Sequence, residues 1–144
     1  IGYFLEHAPN DACFVVAGDV QNRINNPRVF YIGEIEQEKL YSLYKSSTHF
    51  VHLAWLDHCP NVVVDARAAG CKIVCSSAGG TKEIAGPDAT VIEENEWGFE
   101  PVNLYQPPEI DFSRKINNEW DIDYNMVGVA KKYEQFMEST RKLL

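Results

Sequence analysis

The feature that most constrains this chain is the alternation of short apolar runs with longer segments of helical spacing. The apolar runs are short and rich in β-branched or aromatic residues, which suits a buried strand better than a helix. Two of them stop at glycines, Gly18 and Gly33. We predict strands at residues 12–17, 28–32, 49–53, 71–75 and 89–92. Between them, apolar spacing and turn signals predict helices at residues 36–47, 60–69 and 81–85.

Strands that alternate with helices form a parallel sheet, because the crossover connections are right-handed. The chain is therefore predicted to be an α/β protein with a Rossmann-like, doubly wound parallel sheet. In such a sheet the ligand binds outside the carboxyl ends of the strands. The ligand is consequently expected at the loops that follow Ala17, Ile32, Leu53 and Ser76.

Two regions depart from this alternation. Residues 93–118 contain three prolines and little periodicity, so we predict an ordered but irregular excursion across the surface. Its aromatic residues are expected to be exposed, namely Trp97, Phe99, Tyr105 and Phe112. Residues 123–143 carry apolar side chains at three- and four-residue steps, which predicts a long amphipathic helix.

The composition indicates one folded domain with no affinity for nucleic acid. The 144 residues are 45% hydrophobic and 24% charged, which suffices for a single hydrophobic core. A net charge of −8 repels phosphate backbones, so non-specific nucleic-acid binding is not expected. No stretch approaches the roughly 18 apolar residues that cross a bilayer, and no membrane span is predicted.

The four cysteines indicate a reducing compartment. Cys13, Cys59, Cys71 and Cys75 form no Cys-x-x-Cys pair and lie in or beside apolar segments. Free thiols in such places behave as small hydrophobes. A cytoplasmic location is therefore expected.

The most specific pattern in the chain runs from Asp57 to Glu83. Seven residues separate Asp57 from Asp65, and an alanine-rich segment, an apolar run and Gly79-Gly80-x-x-Glu83 follow. This stretch resembles the donor-site signature of the group 1 retaining GT-B glycosyltransferases. Blocks at residues 14–19, 29–33 and 40–44 match that family in order and spacing, so the resemblance covers residues 1–85.

The resemblance implies a function as well as a fold. Residues 1–144 would be the C-terminal, nucleotide-sugar-binding half of a GT-B enzyme, without the first strand of that half. The reaction would transfer a glycosyl unit from a nucleoside diphosphate sugar to an acceptor with retention of configuration. The nucleotide sugar is the donor substrate, and no further cofactor is implied.

The same resemblance assigns catalytic roles to two acids. Asp57 would accept hydrogen bonds from hydroxyls of the donor sugar, and Asp65 from the ribose hydroxyls. The family most often has glutamate at both positions and serine at the position of Ala54, so each acid here reaches one methylene less far. Structural roles are the alternatives: Asp57 could cap the next helix, and Asp65 could complement the helix dipole.

The helix predicted at residues 60–69 offers a site for the donor's diphosphate. Backbone amides in a first helical turn have no partner within the helix and lie at its positive end. Asn61, Val62 and Val63 supply these amides, and Pro60 lacks only one that the helix would not use.

Four glycines and one acid complete the predicted donor site. Gly18, Gly33, Gly79 and Gly80 would let the backbone approach the ligand, although an ordinary turn explains each glycine equally well. Glu34 belongs to residues 31–35, which resemble the part of the family that edges the nucleobase.

No metal site is predicted. His49 and His52 point to opposite faces of their strand, and no compact set of histidine, cysteine and carboxylate ligands emerges. Two other functions compete with glycosyl transfer. A NAD-dependent enzyme is disfavoured because no Gly-x-Gly-x-x-Gly follows a predicted strand, whereas a non-catalytic binding or assembly module stays open because fold does not fix function.

The N-terminus suggests that a partner domain precedes this chain. The sequence starts at Ile1, without methionine, in residues 1–8, which are predicted as the second half of a helix. The resemblance implies a preceding acceptor-binding domain, together with an arginine and a lysine that stabilise the leaving diphosphate. We expect the chain alone to bind a nucleotide sugar weakly and to transfer nothing. Its final helix should expose Tyr133, Phe136 and Met137, and any peripheral membrane attachment would come from the absent domain.

Overall fold

The computed structural model describes residues 1–95, 98, 100–103, 106–122 and 125–141. Within these ranges helices alternate with mainly parallel strands, which confirms the predicted α/β class. The chain divides into two compact units, Ile1–Leu43 and Tyr44–Leu144.

The first unit contains one parallel strand pair. Helix α1 (Gly2–His7) is followed by strand β1 (Phe14–Ala17), strand β2 (Val29–Gly33) and the first part of helix α2 (Gln37–Ser46). Helix α1 lies where half a helix was predicted. The Gly18 amide donates to the Gly33 carbonyl at 2.8 Å, so the two strands stay joined at their carboxyl ends.

The second unit contains a four-stranded sheet in the order β3-β4-β5-β6. Strands β3 (His49–His52), β4 (Lys72–Ser76) and β5 (Thr90–Ile92) are parallel, and helices α3 (Asn61–Ala68) and α4 (Thr81–Ala85) connect them. Strand β6 (Lys115–Ile116) pairs antiparallel with β5. Helix α5 (Met126–Arg141) is the last element in the described part of the chain.

Strand β4 forms the centre of the core. It has a strand on each side, and Ile73, Val74, Cys75 and Ser76 are all buried. A strand that is covered on both faces usually has a continuous run of apolar residues in its sequence. This strand was therefore predictable from the sequence. Helices α3 and α4 and strand β5 contribute further buried apolar residues to this core, namely Val63, Ala66, Ile84, Ala85, Val91 and Ile92.

The four cysteines are free thiols, but only two of them behave as predicted. Cys71 and Cys75 are buried, and the Cys71 thiol donates to the carbonyl of Tyr44 at 3.1 Å. Burial raises the pKa of Cys75 to about 11. Cys13 and Cys59 are exposed, so the prediction that all four thiols behave as small hydrophobes is wrong for these two. Cys59 lies in a loop, and the strand beside Cys13 starts only at Phe14.

Residues 93–118 are less irregular than predicted, because they contain strand β6. Glu93 and Arg114 hold the start of this strand against β5. The Glu93 amide donates to the Arg114 carbonyl at 2.6 Å, and the Arg114 guanidinium donates to Glu93 Oε2 at 2.8 and 3.1 Å. Phe112 is half-buried and not exposed, whereas the other aromatics predicted here, Trp97, Phe99 and Tyr105, lie outside the described residues.

Two side chains tie the segment after β6 to the core helices. The Asn118 amide donates to the carbonyls of Lys82 and Gly86 at 2.8 and 2.7 Å. The Arg67 guanidinium, on helix α3, donates to the carbonyl of Ile122 and to Asp121 Oδ1, each at 3.1 Å. The excursion is therefore anchored by hydrogen bonds after β6 as well as by the strand pairing itself.

Helix α5 confirms the predicted C-terminal helix over Met126–Arg141, and the ends predicted at 123 and 143 lie outside the described residues. Asn125 Oδ1 accepts a hydrogen bond from the Val127 amide at 3.0 Å, which caps the helix start. Tyr133, Phe136 and Met137 are about two thirds exposed (66%, 68% and 69%), as expected. No helix in the described part of the chain is long and apolar enough to cross a membrane.

The buried carboxylate of Glu94, shortly after β5, allows a test of how the chain packs there. Its backbone is bonded to Ser77, whose Oγ accepts from the Glu94 amide at 2.7 Å, yet both carboxylate oxygens are buried without a hydrogen-bond partner among the described residues. A buried polar group without a partner costs about 1 to 3 kcal/mol. Glu94→Met should therefore raise the free energy of unfolding by about 1 kcal/mol or more in urea denaturation.

The neighbouring acid is the matched control. Glu93 is paired with Arg114 and its side chain is 44% exposed, so Glu93→Met should lower the free energy of unfolding by at most about 1 kcal/mol. Equal destabilisation by both substitutions would contradict the structure, because it would mean that the Glu94 carboxylate also has a stabilising partner.

Candidate functional site

The loops after β3 and β4 meet at one backbone contact. The carbonyl of Asp57 accepts hydrogen bonds from the Gly80 amide at 3.0 Å and from Thr81 Oγ1 at 3.3 Å. Leu56, next to Asp57, has a left-handed backbone with a φ of 58°. Both loops lie at carboxyl ends of parallel strands, where the sequence predicted the ligand.

Gly79 and Gly80 are required by this contact. A Cβ atom at Gly79 would lie 2.4 Å from the Asp57 carbonyl oxygen, and one at Gly80 would lie 2.1 Å from that of His58. Gly79 also has a φ of 73°. These glycines thus allow the Gly79-Gly80 turn to approach the neighbouring loop closely. The need for a turn alone does not explain why glycine occupies both positions.

Gly18 and Gly33 differ from that pair. Their φ values are 95° and 66°, but nothing lies within 4 Å of a Cβ atom built on either. Backbone conformation alone explains these two glycines in the described structure. Glu34 follows directly and is exposed.

The side chain of Asp57 contacts His52, a partner that the spacing of residues along the sequence does not indicate. His52 Nε2 lies 3.1 Å from Asp57 Oδ2, with the imidazole 16% exposed and the carboxylate 35% exposed. Asp57 does not cap helix α3, which has Pro60 at its N-cap and no side-chain cap. The capping alternative for Asp57 is therefore wrong.

Helix α3 starts one residue later than predicted. Pro60 is the N-cap, with φ −71° and ψ 110°, and lies before the first turn. Its carbonyl accepts the Val63 amide at 3.0 Å, so the prediction of three free amides is wrong for Val63, whose side chain belongs to the core. The amides of Asn61 and Val62 have no hydrogen-bond partner in the described ranges.

Asp65 lies in the middle of α3. It is half-buried, and its carboxylate makes no hydrogen bond or ion pair to another described residue. The first turn of the helix contains no acid, and the helix dipole acts mainly on charges in that turn. A role in complementing the dipole is therefore poorly supported for Asp65.

The structure thus groups some of the predicted residues directly. Asp57, Gly79 and Gly80 are in contact, and Pro60, Asn61 and Val62 follow Asp57 along the same connection into α3. Gly18 and Gly33 contact each other in the first unit. In the ranges that the structure describes, no three histidine, cysteine or acidic side chains cluster closely enough to hold a metal ion.

Parallel strands connected by helices, with converging loops at the strands' carboxyl ends, define a Rossmann-like α/β domain. The family model for group 1 glycosyl transferases matches residues 10–98, which is more than half of the chain. The chain therefore belongs to this family, and its activity is of the transferase kind. Every predicted site residue lies in the matched range. Neither the comparison with curated proteins nor the one with solved structures finds a match.

The contact between the two loops can be tested at Gly79. Gly79→Ala should remove at least about 2 kcal/mol more from the free energy of unfolding than Gly70→Ala, because it adds a backbone clash to the conformational strain. Gly70 is the matched control: its φ is also positive, at 98°, but nothing lies within 4 Å of its Cβ position.

Chemical denaturation of both variants measures this difference. Gly70→Ala should cost only about 1 to 2 kcal/mol, which is the strain of a left-handed residue. If the two variants are equally stable, Gly79 does not need to be a glycine for the contact with Asp57.

Proposed function

We propose that this chain binds a nucleoside diphosphate sugar and acts as the donor-binding half of a retaining GT-B glycosyltransferase. The observation that carries the proposal is the contact between the Asp57 loop and the Gly79-Gly80 turn, immediately before the start of α3. The acidic side chain of Asp57 and the amides of Asn61 and Val62 follow one another along the chain from β3 into α3, which supports the proposal. Membership of the glycosyl transferase group 1 family supports the same chemistry.

The start of α3 supports binding of the diphosphate. Asn61 and Val62 are exposed, and their amides lie at the positive end of the helix. Lys82, two residues after Gly80, adds a cation near the same turn. A local positive site of this kind is needed because the chain as a whole carries a net charge of −8 and repels anions.

Asp57 and Asp65 would hold the hydroxyl groups of the donor. Asp57 Oδ2 faces His52, while Oδ1 has no hydrogen-bond partner in the described structure and can accept from a sugar hydroxyl. Asp65 would accept from the ribose hydroxyls, since an ionised carboxylate accepts such pairs well. Both acids orient the donor, so the anomeric carbon is presented to an acceptor held by another domain.

Transfer of the glycosyl unit requires that the negative charge that develops on the leaving diphosphate be stabilised. As the glycosyl bond breaks, negative charge grows on the leaving diphosphate, and preorganised amides at the helix start stabilise it. Glu34, directly after β2, would edge the nucleobase, and Gly18, after β1, and Gly33, at the end of β2, would let the backbone approach the donor. No metal is needed in this proposal.

The decisive experiment measures donor affinity at Asp65. Thermal-shift screening with UDP-, GDP- and ADP-sugars first selects the donor, and calorimetry then compares variants. Asp65→Ala should weaken binding by about 1 to 3 kcal/mol, because the ribose hydroxyls lose a charged acceptor.

Asp88 is the matched control for charge. It is an exposed acid outside the proposed site, so Asp88→Ala removes the same charge from the same unit without touching the donor. An Asp65→Ala variant that binds as tightly as the wild type would refute the assignment of Asp65. Equal losses in both variants would show only a long-range charge effect.

A further inference from the structure

We propose that His52 is a positioning residue of the donor site, which holds the carboxylate of Asp57 so that Oδ1 is free for a donor hydroxyl. This inference rests on the proposed function. Its basis is the 3.1 Å contact between His52 Nε2 and Asp57 Oδ2. Because an ionised carboxylate is an acceptor only, Nε2 must carry the proton in this contact.

The imidazole of His52 is held in place by aromatic packing. It stacks on Phe50 with ring centroids 6.2 Å apart and planes inclined by 17°. Phe50 in turn packs edge-on against buried Tyr44 at 5.3 Å. His52 therefore presents Nε2 from a largely buried ring that has Phe50 beside it.

Asp57 is restrained at both its backbone and its side chain. Gly80 and Thr81 donate to its carbonyl oxygen, which fixes the loop, and His52 then fixes the orientation of the carboxylate. A carboxylate that is already oriented loses less conformational freedom when it binds a ligand. The 35% exposure of the Asp57 side chain leaves it reachable from solvent.

Among the described residues, His52 makes no ion pair other than the one with Asp57. Cys75, its register partner on β4, is uncharged near neutral pH because burial raises its pKa to about 11. On α3, the Arg67 guanidinium is engaged by Asp121 and by two carbonyl groups. Asp65, the other charged residue on that helix, has no contact with His52 among the described residues.

The test compares two substitutions that separate packing from hydrogen bonding. His52→Phe keeps an aromatic ring beside Phe50 but removes the donor, so it should weaken donor binding about tenfold. His52→Gln restores an N–H near the position of Nε2 and should bind within about threefold of the wild type. In an Asp57→Ala background, His52→Phe should have no further effect.

His49 is the matched control, because it lies on the same strand and is exposed, with its Nδ1 beside Thr48. His49→Phe should leave donor affinity unchanged. If Asp65→Ala weakens binding as proposed but His52→Phe binds like the wild type, the inference about His52 fails alone. If the wild type binds no nucleotide sugar, the proposed function fails and His52 has no donor to position.

A second measurement needs no change at His52, so it stands even if that variant does not fold. The ¹⁵N signals of the His52 imidazole are followed by NMR in the wild type and in Asp57→Asn. Loss of the carboxylate should shift the Nε2 signal and leave that of His49 in place. An unchanged Nε2 signal would overturn the proposal, because His52 would then not interact with the Asp57 carboxylate.

Discussion

The backbone contact between the Asp57 loop and the Gly79-Gly80 turn is the constraint on which the rest of the second unit depends. It joins the connections that follow two neighbouring parallel strands, β3 and β4. Helix α3 starts shortly after one side of this contact, and helix α4 starts directly after the other. A single pair of loops therefore fixes where both helices begin.

The sequence predicted the strands well because their signals are local. Strand β4 is a continuous apolar run, and Gly18 and Gly33 mark the ends of β1 and β2. Strand β6 carried no such signal: it has two residues, both exposed, and its partner β5 lies more than 20 positions away. Pairing of that kind is decided by tertiary contacts, which a pattern along the chain does not contain.

Tertiary contacts that the sequence pattern does not contain also decide which atoms of the candidate site are free to bind a ligand. Spacing and resemblance were enough to identify the residues of the site. They could not predict which backbone amides and side-chain atoms stay free to bind a ligand. The Val63 amide donates to the Pro60 carbonyl, a bond that depends on the backbone conformation of Pro60 at the start of α3. The contact between His52 and Asp57 depends on the path of the loop between them, which includes the left-handed residue Leu56. Neither the Val63 hydrogen bond nor the contact between His52 and Asp57 can be predicted from the spacing of residue types along the sequence.

The anchoring of the excursion after β5 has a consequence for how the chain can vary in length. Glu93 and Arg114 close this excursion at its base, and Asn118 and Arg67 hold the chain that leaves it. Once both ends of a loop are fixed, each doubling of its length costs only about 0.6 kcal/mol in closure entropy. Insertions or deletions at the exposed residues 106–109 are therefore cheap for the fold, whereas the connections that carry Asp57 and Gly80 allow no such freedom. The domain can thus change the surface it offers to other molecules without disturbing the loops at the ends of β3 and β4.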